Sequence, residues 1–140
     1  MKNLRSILFV FAALLLATAV HAQSTNVTAS VPFSFVVADR EYPAGDYVVR
    51  SITDTGVPIL IRNTDEADKG IVLSIPCSHS KPSSTTKLVF HRMGNAYFLY
   101  QIWEEGHTLG REFPISKTEV QLARNSTKPE VVIVAANLNR

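Results

Sequence analysis

The sequence predicts an all-β fold with one short C-terminal helix: an antiparallel barrel-like domain or sandwich of about seven to eight strands. Three observations predict it. Short runs rich in β-branched and aromatic residues recur along the chain, and turn residues punctuate them at fairly even spacing. No amphipathic helical pattern intervenes between these runs before position 116. Without crossover helices, parallel connections between strands have nothing to carry them.

The expected strands cover 26–31, 33–38, 46–52, 57–62, 70–75, 87–92 and 96–103. Between them lie 42–45 (Tyr-Pro-Ala-Gly), 54–56 (Asp-Thr-Gly), 65–70, 79–86 and 93–95 (Met-Gly-Asn). Proline presets φ for the second residue of a turn and glycine supplies positive φ, so these segments turn for a physical reason. Successive strand side chains point to opposite faces. Phe33, Phe35 and Val37 therefore oppose Ser34, Val36 and Ala38, while Leu88 and Phe90 oppose Val89 and His91. Ile71, Leu73 and Ile75 oppose Val72 and Ser74 in the same way. The run 97–103 is apolar on both faces, which predicts a central strand covered on each side. Pro32 cannot donate to a ladder and marks an edge, bend or bulge.

Ser116-Lys117-Thr118-Glu119 is a capping box that opens the helix. Val120, Ala123 and Leu122 supply its apolar face, and Asn125-Ser126 with Pro129 end it. A final β-branched run, 131–136, is expected to pair with the first strand and close the sheet, removing exposed edges.

Residues 1–22 have the order of a secretory signal: a positive start with Lys2 and Arg5, an uncharged run over 6–20, and Val20-His21-Ala22 before the cut. The expected domain is 23–140. The 140-residue chain has 14 basic and 12 acidic residues, and Lys2 and Arg5 are the surplus cations. The processed chain is therefore neutral, which excludes the basic footprint of a nucleic-acid binder. The uncharged signal run is shorter than the roughly 20 residues of a membrane-spanning helix, so no membrane span is expected after cleavage. The expected location is periplasmic or extracellular. One cysteine, Cys77, cannot make an internal disulfide, so the fold must rest on its core.

Several segments carry a resemblance. They are Val31-Pro32-Phe33-Ser34-Phe35, Pro43-Ala44-Gly45-Asp46-Tyr47-Val48-Val49, Leu88-Val89-Phe90-His91-Arg92, the run from Tyr97-Phe98-Leu99 to Trp103, and Gly110-Arg111-Glu112-Phe113-Pro114. Together they resemble a group of small exported bacterial β proteins. The resemblance implies export and a small β fold, and it brings no catalytic residues.

The chain lacks a G-x-S-x-G elbow, a P-loop and a G-x-G-x-x-G turn. His91, His107 and Glu104 are weak metal candidates, because no pair has the spacing of an H-x-x-x-H helix face. Cys77 and His79 share a strand face, but no third group orients them as a nucleophile pair. No cofactor is called for. Tyr97, Leu99, Gln101 and Trp103 share one face by alternation and form a candidate pocket lining with one polar group among apolar ones.

The expected role is non-enzymatic binding or envelope scaffolding. The partner is a small molecule or an envelope protein, with self-association open to a neutral chain. The alternatives are a small-molecule barrel with a Tyr/Trp-lined pocket and a metal-dependent hydrolase using His91, His107 and Glu104. The export assignment has a direct check: N-terminal sequencing of the processed protein is expected to begin at Gln23, and a chain still beginning at Met1 in the exported fraction would refute cleavage there.

Overall fold

The computed structural model describes residues 25–65, 69–125 and 128–139. The signal expected over 1–22 lies outside the described residues, as do Ser126 and the middle of the 65–70 turn. The described chain is mostly β, with one short helix near its C-terminal end, and its strands form two facing sheets.

The five-stranded sheet runs β12 (Asn137–Leu138), β1 (Asn26–Val31), β4 (Gly45–Ser51), β5 (Pro58–Asn63), β6 (Lys69–Leu73). The seven-stranded sheet runs β11 (Glu130–Ala135), β8 (Lys87–Met93), β9 (Ala96–Trp103), β10 (Leu109–Glu112), β7 (Ile75–Ser78). It also takes in the hairpin of β2 (Phe35–Val37) and β3 (Arg40–Tyr42). Ladders are antiparallel except where Val36 of β2 meets Phe98 of β9 in parallel.

The chain passes between the sheets four times, and at two of these passages a single residue separates the strands. Ser74 lies between β6 and β7, where its amide and hydroxyl both donate to the Val57 carbonyl at 2.7 and 2.9 Å. Ala136 lies between β11 and β12, and its amide donates to the Thr86 carbonyl at 3.0 Å. The ladders change sheets at these points, so the fold is a sandwich and not a closed barrel. The expected closure is also corrected. Residues 130–135 pair with β8 along its whole length, and only Asn137 and Leu138 reach β1.

Twelve strands stand among the described residues, more than the seven or eight expected. The run 70–75 divides at Ser74 because its halves join different sheets. Arg40–Tyr42 and Leu109–Glu112 are short and polar, and pairing with a neighbour makes them strands where propensity gives little signal.

Alternation fills the space between the sheets. Val27, Ala29, Val31, Tyr47, Val49, Ile59 and Ile61 point in from one sheet, and Phe35, Val37, Tyr42, Leu88, Phe90, Leu99 and Ile102 from the other. Phe35 is the hub: its ring lies 5.4 Å from Tyr42, 5.0 Å from Tyr47 and 5.5 Å from Phe90. The Tyr47 and Phe90 contacts are edge-to-face and the Tyr42 contact is stacked, and both geometries add to the apolar burial of each ring.

Helix α1 (Lys117–Asn125) begins as the capping box predicts, with the Glu119 amide donating to the Ser116 hydroxyl at 3.0 Å. A second cap comes from the β2–β3 turn. Ala38 and Asp39 occupy its two central positions with φ of 46° and 68°, and Asp39 Oδ1 accepts from the Lys117 amide at 2.7 Å. Of the apolar face expected of the helix, Leu122 is half-buried while Val120 and Ala123 are exposed, and Glu119 is the buried helical residue.

The packing makes a sharp contrast between two large apolar residues. Phe35→Ala is expected to cost about 3–5 kcal/mol of stability, while exposed Ile71→Ser stays within about 0.5 kcal/mol. Equilibrium urea unfolding measures both, and equal losses would contradict this assignment of the core.

Candidate functional site

One extra residue in β9 decides which side chains reach the outer face of the seven-stranded sheet. Val89 pairs with Gln101 and Phe90 with Leu99, which leaves Tyr100 as a β-bulge. A bulge re-aims the side chains around it. Leu99 and Ile102 enter the core. Gln101 and Trp103 pair with Val89 and Lys87 and lie on the outer face.

The four residues of the candidate pocket lining are therefore divided. Tyr97 packs on the core side, stacked on Phe33 with ring centroids 3.8 Å apart. Leu99 is in the core, and Gln101 and Trp103 are on the opposite face. The alternation used to group them fails at Tyr100. Tyr47 is buried beside Phe35, while Tyr100 joins the outer face.

On that face the polar groups are joined in a row. Trp103 Nε1 donates to Gln101 Oε1 at 3.0 Å, and Gln101 Nε2 donates to Glu112 Oε2 at 2.8 Å. An indole N–H needs an acceptor and a carboxylate needs a donor, so one amide orientation serves both. The Tyr100 phenol lies near the same Glu112 carboxylate. Its pKa is raised, first by burial and then by that carboxylate, because both disfavour a phenolate. The His91 ring stacks on Tyr100 at 4.0 Å, and its Nδ1 meets Glu119 Oε1 at 2.9 Å. Glu119 thus turns from the cap toward the sheet and fastens α1 there.

At the other end of the row, the His79 ring stacks on Trp103 at 4.0 Å. The indole lies across Gly110, where a Cβ would come within 2.7 Å of both Trp103 Cε3 and the Ile102 carbonyl oxygen. Cys77 pairs with Gly110 and is half-buried. Burial, followed by the charge of Glu112, pushes its thiol pKa up, and Arg111 and a backbone hydrogen bond only partly oppose this. A nucleophilic cysteine needs the reverse shift.

The three weak metal candidates do not assemble. His91 is held by Glu119 under α1, whereas Glu104 and His107 line a small cavity of about 70 Å³ beside Thr25, Leu109 and Arg111. Among the described residues no three His, Cys, Asp or Glu side chains gather to hold a metal ion. Arg111 Nη2 donates to the Thr55 carbonyl at 3.2 Å, which ties β10 to the turn after β4.

The outer-face row is a braced arrangement in which Trp103, Gln101, Glu112, His91 and Glu119 each have a partner. It fixes the buried Trp103 indole and the buried Glu119 carboxylate against the sheet. Residue spacing did not reveal Glu112 or Glu119 as members. The capping box marked Glu119, but for its local role at the helix start.

The chain matches no family model, no curated protein and no solved structure.

The seat of the indole on Gly110 is testable. Gly110→Ala is expected to displace Trp103 toward water, shift its emission to the red, and cost about 1–3 kcal/mol in urea unfolding. Unchanged emission and stability would show that the ring does not depend on this glycine.

Proposed function

We propose that the protein is an exported, non-enzymatic binding or scaffold protein of the cell envelope, which holds a protein partner on its outer surface. One observation carries this reading. Ile71, Leu73 and Ile75 stand 62, 64 and 57% exposed in alternation along the segment that passes from β6 to β7. Ile71 lies beside Leu60 and Leu73 beside Pro58, so the apolar row extends onto β5.

Side chains of this size gain about 1–2 kcal/mol each when a partner covers the exposed part. A contiguous apolar patch on a monomer's surface is the usual mark of an interaction site. The interior supports the same choice. Tyr97 and Trp103 lie on opposite sides of β9, and aromatic rings fill the space between the sheets, so the Tyr/Trp-lined chamber has no floor. Export rests on the signal order of residues 1–22 and on the resemblance to small exported bacterial proteins.

The test is site-specific crosslinking in cells that export the protein. A photo-reactive residue in place of Leu73 is expected to give one discrete adduct with a different protein. Ile71→Ser combined with Leu73→Ser should remove the partner while changing the unfolding free energy measured in urea by no more than about 0.5 kcal/mol for each substitution. Recovery of the uncrosslinked chain alone, at full expression and export, would overturn the reading.

A further inference from the structure

The open edge of the seven-stranded sheet offers backbone hydrogen bonds in a definite register. β11 is the last strand of that sheet, paired on one side with β8 from Glu130 opposite Arg92 to Ala135 opposite Lys87. One step further along, the Ala136 amide donates to the Thr86 carbonyl. Backbone groups of successive strand residues alternate between the two edges. Val132, Val134 and Ala136 therefore bond toward β8. Val131, Ile133 and Ala135 direct their N–H and C=O groups to the open side.

Edges of this kind are normally blunted by charge, proline or brevity. The neighbouring edges follow that rule. β12 has two residues, β7 contains Pro76, and at the start of β6 the Lys69 carbonyl accepts from Arg40 Nη1 at 2.7 Å. In β11 the five residues after Glu130 contain no charge, proline or glycine, and Val131 and Ile133 are each 59% exposed.

We propose that β11 pairs antiparallel with β11 of a second copy of this chain, about a two-fold axis through Ile133, so that the two sheets become one. The outward-facing backbone groups determine this register. Ile133 faces the second copy's Ile133, and Val131 faces its Ala135, which satisfies about six N–H and C=O pairs across the edge.

Charge selects both the orientation and the occupant. Glu130 is the sole charged residue of the strand. A parallel pair would place the two glutamates side by side. The antiparallel pair sets them six residues apart, about 20 Å, well beyond the roughly 8 Å screening length. The processed chain, with equal numbers of basic and acidic residues, does not repel a second copy over distance. This contact is separate from the β6–β7 surface assigned above to a different protein, so each can fail alone.

The experiment is light scattering on the purified processed protein over a range of concentrations, with two variants. The unsubstituted protein is expected to approach twice the chain mass as concentration rises. Ile133→Pro removes an N–H on the open side and leaves the bonds to β8, so it should return the mass to that of one chain. Ile133→Lys sets two like charges face to face and should do the same through its side chain. Far-UV dichroism and the melting curve confirm that each variant is folded, and either folded variant suffices. A single-chain mass at every concentration would overturn the proposal. So would a dimer that survives in a folded variant, or in-cell crosslinking from Ile133 that captures a different protein and never a second copy.

Discussion

The bulge at Tyr100 governs both faces of the seven-stranded sheet. Leu99 and Ile102 are three residues apart, yet both enter the core, because the extra residue between them restores the inward phase. The same step brings Tyr100 and Gln101 together on the outer face, where Gln101 donates to Glu112 and Tyr100 stacks on His91. A regular strand through 96–103 would have sent either Leu99 or Ile102 away from Phe90 and Leu88. The inward placement of both Leu99 and Ile102 and the outer hydrogen-bonded row therefore depend on one irregularity in one strand.

The outer row shows how polar groups are kept at low cost beside a sheet. The partly buried carboxylates of Glu112 and Glu119 have donors in Gln101 and His91. Satisfied networks of this kind specify one arrangement more than they add net stability, because each partner gives up water to join them. The row also explains the placement of α1. A nine-residue helix is marginal by itself, and this one is held through Glu119 to His91, with caps from Ser116 and Asp39. Its tether is polar, whereas the two sheets are joined by apolar packing.

Two of the four sheet crossings, the ones that join edge strands, settle the distribution of edges. At Ser74 and Ala136 the chain leaves one sheet and enters the other, each time held by backbone hydrogen bonds. The crossings keep the sheets together along two sides without joining their ladders into a ring. Edges therefore persist, and the apolar residues along β6, β7 and β11 remain at the surface. These edges, with their exposed Ile71, Leu73, Ile75, Val131 and Ile133, distinguish one surface from another.

The sequence by itself determined the β class, the in-and-out alternation of residues such as Phe33, Phe35, Leu88 and Phe90, the turn at Gly94 and the helix start at Ser116. Each of these is a local matter. Alternation, φ preference and capping act over two to four residues and can be read from neighbours. Only the tertiary structure decided that 130–135 would pair with β8, that the run 70–75 would divide between sheets, and that Glu119 would find His91, 28 residues away. It likewise decided that Tyr97 and Trp103 would face opposite ways across the bulge. The physical reason is that register and strand partner are chosen by the summed packing of residues distant in sequence. A single extra residue can reverse a face without any change in composition that would announce it.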